Sequence, residues 1–318
     1  MCQTRRVLGT LLGSAVLIFS VLPVIAAEVQ KITIALTSPG GVQAIYWYTY
    51  KRGFFEKHGL DPTIVQVRGS SVGSNVLISG GAQFLADSLA GTVSADLSGA
   101  DLVIVLAPIS KFPAMFYVSP DIKDPSNLIG KKIAVSTFGG ESHFSVLAAL
   151  KVLGVPKEEV TILQIGTQPE RLAALLSRQI AGATFTPPAN LRAESEGLRK
   201  IVDLTESDKQ YYSGPISVRK TFLNEHQDTV KAFIRAYVEA VRSYKTNPQT
   251  AKETLSAYTR IRDTKALNYA YEFYTRFYRE NPKPECATVK DFLPDMKEAT
   301  RRTAILSDPC SIVAESLY

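Results

Sequence analysis

One order of elements occurs twice along this chain, and that repetition limits the folds open to it. Lys31-Ile32-Thr33-Ile34-Ala35-Leu36 alternates like a strand, and Ser38-Pro39-Gly40-Gly41 follows as a loop. Residues 42–57 then read as a helix that His58-Gly59 ends, with glycine at the left-handed position past the last turn. A strand over 63–67, a Gly69-Ser70-Ser71 loop, a helix over 72–78 and a short strand at 84–86 complete the unit. The second copy has a strand over 132–136, a glycine-bearing loop over 137–142 and a helix over 143–153 closed by Gly154. A strand over 160–165, a Gly166-Thr167-Gln168 loop, a helix over 169–178 with proline in its first turn and a strand over 183–185 finish it at Pro187-Pro188. Two β-loop-α-β-loop-α-β units predict two α/β lobes, each with a mostly parallel sheet. In such sheets a ligand sits at the carboxyl ends of the strands, where helices also begin and present unpaired N–H groups.

The remainder reads as helix. Val230, Phe233, Ile234, Tyr237, Val238, Val241 and Tyr244 follow three-four spacing, and Asn247-Pro248 opens a second helix through Leu255 and Tyr258. Leu267, Tyr271, Tyr274 and Tyr278 form a third stripe, ended by Asn281-Pro282, and Val289, Phe292, Met296 and Ala299 a fourth. Stripes at this spacing predict core, and the four helices are expected to cover the first lobe.

Residues 1–27 read as a signal peptide. Arg5 and Arg6 precede an uncharged run whose core is Leu11, Leu12, Val16, Leu17, Ile18 and Phe19, with Pro23 and then Ala26-Ala27 for cleavage. An uncleaved anchor is the alternative; glycines, serines and Pro23 dilute the run. A periplasmic location is expected. Two cysteines then remain, Cys286 and Cys310, and in an oxidising compartment a disulfide is expected, buried thiols being the other reading. Lys+Arg 36 against Asp+Glu 30 gives +6, spread along the chain as isolated pairs, so no basic block argues for nucleic acid. Three His and three Cys are too few for a multi-metal site.

Four phrases, in order, carry a family likeness. Arg52-Gly53-Phe54-Phe55-Glu56-Lys57-His58-Gly59-Leu60 resembles the segment near the start of ABC-transporter substrate-binding proteins of the nitrate, sulfonate, taurine and thiamine-pyrimidine-precursor group. Leu128-Ile129-Gly130-Lys131-Lys132-Ile133-Ala134-Val135 resembles the opening of their second lobe, and Arg171-Leu172-Ala173-Ala174-Leu175-Leu176-Ser177 their next helix. Residues 229–244 followed by Asn247-Pro248 are similar to their C-terminal part. The chain departs from them at Gln83 and Ala181, where the family often has Asp after Gly-x-Ile. The resemblance implies an α/β fold of the periplasmic-binding-protein type II class. It implies lobe one at 28–109 and 216–318 with the C-terminal helices, and lobe two at 110–215. Two crossings, near Ala107-Pro108-Ile109-Ser110 and Ser213-Gly214-Pro215-Ile216, would act as hinges. It further implies capture of a small polar organic or anionic solute and delivery to an inner-membrane ABC permease and its ATPase. A monomer without a cofactor is expected.

Candidate contacts follow from the loops at strand ends. In the first lobe these are Ser38, Gly40 and Gly41, with Tyr46 and Trp47 as an aromatic wall. Arg68, Gly69, Ser70 and Ser71 follow the second strand, and Asp87 and Ser88 the third; Asp87 could receive an amine or cap the next helix. In the second lobe Thr137, Gly139, Gly140, Glu141, Ser142 and His143 form the corresponding loop, with Thr184, Thr186 and Pro187 at the opposing strand. Glu141 is either a partner of the helix dipole or, facing the cleft, a group that opposes inorganic anions and favours a ligand with donors.

One motif argues instead for catalysis. Gly69-Ser70-Ser71-Val72-Gly73 fits Gly-x-Ser-x-Gly between a strand and a helix, with Asp203 and His226 following in the order a hydrolase would need. It sits on the second strand with no His-Gly-Gly segment before it, so a binder is the expectation and a secreted serine hydrolase using Ser71 the alternative. A ligand-sensing module of the same fold is a third reading.

Overall fold

The computed structural model describes Met1, residues 29–300, residue 306 and residues 308–318. The leader expected over 1–27 lies outside the described residues apart from Met1. Among the described residues no helix is long and apolar enough to cross a membrane.

In chain order the first strands and helices are β1 (Gln30–Leu36), α1 (Ala44–Lys51), α2 (Phe54–Lys57), β2 (Leu60–Gln66), α3 (Gly69–Ile78), β3 (Phe84–Ser88), α4 (Leu89–Asp96), β4 (Leu102–Leu106) and β5 (Met115–Val118). Next come β6 (Lys132–Val135), α5 (Glu141–Val152), β7 (Thr161–Gln164), α6 (Gln168–Leu176), β8 (Gly182–Phe185), α7 (Ala189–Ser195), β9 (Arg199–Asp203) and β10 (Ser213–Arg219). The chain ends with α8 (Lys220–Glu225), α9 (Gln227–Thr246), α10 (Pro248–Thr259), α11 (Thr264–Phe277) and α12 (Cys286–Thr300).

The repeat becomes two five-stranded sheets, ordered β2-β1-β3-β10-β4 and β7-β6-β8-β5-β9. Each carries the parallel trio expected of a βαβαβ unit, with β1 between β2 and β3, and β6 between β7 and β8. The fourth strand of each sheet runs antiparallel and enters from the other half of the chain. β10 inserts between β3 and β4, and β5 between β8 and β9. The fold is therefore two α/β lobes linked by two crossings, one between β4 and β5 and one between β9 and β10.

Two elements differ from the expected bounds for local reasons. The helix expected over 42–57 is a 3-10 turn at Gly41–Gln43 followed by α1 and α2, because Gly53 takes a φ of 71° and breaks the ladder. Residues 69–71, expected as a loop, form the first turn of α3. The second helix of the other lobe begins with a capping box, Thr167 and Glu170 satisfying each other's backbone N–H, with Pro169 in the first turn.

Three of the C-terminal helices cover the first sheet. α9 buries Val230, Phe233, Tyr237, Val241 and Tyr244, and Phe233 stacks on Phe84 of β3 with ring centroids 4.2 Å apart. The fourth, α12, lies elsewhere. Phe292 packs edge-on against Phe144 of α5, and Asp295 pairs with Lys151, so α12 covers the second lobe rather than the first. Stripe spacing marks a helix's apolar face but not which sheet receives it. Cys286 and Cys310 are joined in a disulfide, and the tail beyond it returns to the first sheet, where Val313 bridges Ile104 of β4.

Candidate functional site

The carboxyl ends of the central strands meet between the sheets, and side chains from both lobes converge there. β3 ends at Asp87 and Ser88. Ser88 caps α4, its hydroxyl accepting from the N–H of Gly91 at 3.1 Å. Asp87 is 5% exposed; its Oδ1 accepts from the Ser70 hydroxyl at 2.7 Å and from that of Thr37 at 3.3 Å. Its Oδ2 has no hydrogen-bond partner. That oxygen lies over Gly91, where a Cβ would stand only 2.1 Å from it and 2.7 Å from the Ser70 hydroxyl. Glycine at 91 is what lets the carboxyl and the helix start share this space.

From the second lobe, α5 starts at Glu141 with Gly140 before it and no side-chain cap. Glu141 faces Ser213, the first residue of β10, and Asp87. Burial pushes the Glu141 carboxyl up to about 8; the Ser213 hydroxyl pulls it down, and the charge of Asp87 pushes it further up. Burial likewise raises Asp87 to about 6, against the lowering hydrogen bonds of Ser70 and Thr37. Tyr211 stands beside both: burial raises its hydroxyl, and the charge of Glu141 adds to the rise. Tyr274 of α11 closes another side, its hydroxyl donating to the Pro187 carbonyl at 2.9 Å and lying near Thr186 and Glu141.

The lobes touch elsewhere around this space. Gln168 binds Thr186 twice, donating to its hydroxyl at 2.8 Å and accepting from its N–H at 2.8 Å, and its amide lies 4.0 Å from where a Gly40 Cβ would stand. A Cβ on Gly69 would lie 3.7 Å from the Thr137 methyl. Arg68 is exposed at the rim, and its charge contributes to lowering Glu170 at the start of α6, after the hydrogen bonds from Thr167.

Of the expected contacts, then, Gly40, Gly69, Ser70, Asp87, Thr137, Glu141, Thr186 and Pro187 come together between the lobes, with Ser88 and Gly140 immediately beneath. Other expected contacts are placed differently. Tyr46 is fully buried against Phe233 and Tyr237, its hydroxyl donating to the Gly214 carbonyl at 2.6 Å; it is core, not a wall. Trp47 sits between Tyr50 and Tyr258, with the Lys51 ammonium 5.2 Å over its ring. Ser38 accepts from Tyr258 at its carbonyl and from Gly40 at its hydroxyl, and Gly41 lies under the Tyr274 ring. Ser142 is spent on Ser136, accepting from its N–H at 2.7 Å. His143 is buried between Phe138 and Phe144, accepting from the Gly139 N–H; burial lowers its pKa, so it is a neutral brace for the loop. Thr184 is buried within β8 opposite Phe116. Gln83, at one departure from the family pattern, accepts from the Thr33 N–H at 2.8 Å and so ties two strands.

The residues that a hydrolase would need are not assembled. Ser71 is exposed on α3, Asp203 accepts from Thr205 and Lys200, and His226 packs beside Phe222. Thr37, Gly91, Tyr211, Ser213 and Tyr274 belong to the site and were not among the expected contacts.

The family model described as NMT1/THI5 like matches residues 42–251. The chain belongs to the NMT1/THI5-like family. That match covers every strand but β1, and Ser70, Asp87, Glu141, Tyr211 and Ser213 of the site; Thr37, Gly40 and Tyr274 lie outside it. Among relatives, an ABC transporter periplasmic binding protein of Brachyspira hyodysenteriae is 30% identical over 168 residues, 52% of this chain and 46% of that one. The taurine-binding periplasmic protein of Escherichia coli is 36% identical over 135 residues, 41% of each chain. The matches thus span less than half the length of each of these relatives. Among solved structures, the alkanesulfonate-binding protein of Xanthomonas axonopodis superposes with a TM-score of 0.75 at 16% identity, over 91% of this chain and 99% of that one. At that identity the likeness speaks for the fold alone.

Proposed function

We propose that this NMT1/THI5-like chain is the extracytoplasmic solute-binding component of an ABC importer. It captures one small polar organic solute between its lobes, closes by rigid-body rotation at the two crossings, and delivers the solute to a membrane permease driven by an ATPase. The lobes that rotate are 28–109 with 216–318, and 110–215, with α12 moving with the second. The leader directs the chain to the periplasm.

The observation that carries this reading is the convergence of Asp87 and Ser70 from one sheet with Glu141 from the other, close enough for the two carboxyls to act on each other. A ligand that touches both sheets favours the closed arrangement, because only there are both sets of contacts made. The names of the relatives support the same class of activity. Binding rather than turnover agrees with a site in which the Ser70 hydroxyl is committed to the buried Asp87 carboxyl.

A thermal-shift screen of small polar solutes on the leaderless chain tests it. A solute at a hundred times its Kd stabilises by about 2.7 kcal/mol. Failure of every solute to raise Tm, or ester turnover abolished by Ser71→Ala, overturns the reading.

A further inference from the structure

Asp87 Oδ2 is a buried acceptor with nothing to accept from. The hydroxyl donors beside it are already engaged, and the Ser88 N–H adds a lowering backbone contact to the same carboxyl. Ser70 and Thr37 donate to Oδ1. The first N–H groups of α4 are also taken: Leu89 by the Tyr212 carbonyl, Ala90 by the Tyr211 hydroxyl and Gly91 by the Ser88 hydroxyl. This helix start is therefore closed to an anion by the protein's own acceptors. Glu141 brings a second carboxyl to the same space. Among the described residues no ion pair joins either acid to a lysine, arginine or histidine.

We propose that the buried end of the solute is a cationic N–H donor, an ammonium or amidinium group, held between Asp87 and Glu141. The proposal rests on the solute-binding reading and narrows it. A positive donor supplies what the two acids lack: a hydrogen bond for Oδ2 and a charge that permits both carboxyls to ionise side by side. A donor-free anion does the opposite, adding negative charge to a space that already holds an unpaired acid. The Ser213, Tyr211 and Tyr274 hydroxyls flank the pair as neutral groups. The site thus differs in sign from one built for nitrate, sulfate or an alkanesulfonate.

Matched probes test this by thermal shift and calorimetry on the leaderless chain: taurine against isethionate, β-alanine against 3-hydroxypropionate, ethanolamine against ethylene glycol, with nitrate and sulfate as donor-free anions. The amine member of at least one pair is expected to bind about tenfold or more tightly than its hydroxyl partner. Asp87→Asn and Glu141→Gln, confirmed folded by circular dichroism, are each expected to weaken that binding about tenfold or more. Equal binding of the hydroxyl partner, tight binding of nitrate or sulfate, or amine binding that survives both substitutions overturns the inference while leaving a solute-binding protein. If no amine probe binds but another solute from the wider screen does, the inference falls alone. If nothing binds, the solute-binding reading falls with it.

Discussion

Tyr274 donates its hydroxyl to the carbonyl of Pro187 at 2.9 Å, so a helix that covers the first sheet is hydrogen-bonded to the loop that ends a strand of the second. The neighbouring Tyr269 hydroxyl accepts from the Asn190 amide at 2.9 Å, making α11 a second contact across the lobes. Tyr274→Phe keeps the ring and leaves a buried carbonyl short of a donor. The expected loss is about 1 kcal/mol in chemical denaturation. Gly41→Ala acts on the same ring from below, since its Cβ would stand 2.1 Å from it. The crowding should destabilise by about 1–3 kcal/mol in the same assay.

Gly91→Ala tests the Asp87 contact. In an ordinary helix this change would be neutral or stabilising. Here the new methyl would stand 2.1 Å from Asp87 Oδ2 and 2.7 Å from the Ser70 hydroxyl, so both must move. Solute affinity in calorimetry should fall about tenfold or more while the far-ultraviolet circular dichroism stays that of the parent. Unchanged affinity would mean that Asp87 is not a contact.

The acids fix the sign of the pH dependence. Asp87 and Glu141 both hold protons more tightly in the folded chain than unfolded, with folded values of about 6 and about 8. As pH rises the unfolded chain ionises first, so their contribution is complete at about pH 4 and is lost through the folded values. The groups facing them, Ser213, Tyr211 and Tyr274, remain neutral over that range. Glu141→Gln should therefore stabilise the unliganded chain at pH 9 relative to pH 4, on the order of 5 kcal/mol, in urea titrations at the two pH values.

Trp47 is the chain's one tryptophan, and it packs among Tyr50, Tyr258 and Lys51 rather than between the acids. Trp47→Phe should leave solute affinity unchanged within about twofold in calorimetry. A tenfold loss would return the residue to the site.

The disulfide ties α12, which lies on the second lobe, to a tail that pairs with β4 of the first. Reduction, or Cys286→Ser with Cys310→Ser, frees a loop of this length in the unfolded state. The expected loss is about 3 kcal/mol, read as a lower midpoint in denaturant.

Much of this architecture is legible in the residues. β1 and β6 declare themselves by alternation and by the glycine loops that follow, and α9 by its stripe. β4 does not: Leu102–Leu106 is buried throughout and carries no period. Nor does β10, which pairs antiparallel with β3 and β4 from more than a hundred residues away. Ser70, Asp87 and Glu141 could be found because they stand where strands end and helices begin. Tyr211 and Ser213 could not, because a crossing carries them to the site. Tyr274 shares the spacing of a core stripe, and nothing local distinguishes a hydroxyl that reaches the cleft. Tyr46 misled for the converse reason: it follows a glycine loop, but α1 turns that face toward α9.

Calorimetric titration with a solute that raises Tm, repeated on Ser70→Ala from the first sheet and Glu141→Gln from the second, bears most directly on the two-sided clasp. One molecule should bind per chain, and each substitution alone should weaken it. Binding that both variants leave untouched, or that depends on one sheet and is indifferent to the other, would contradict the account.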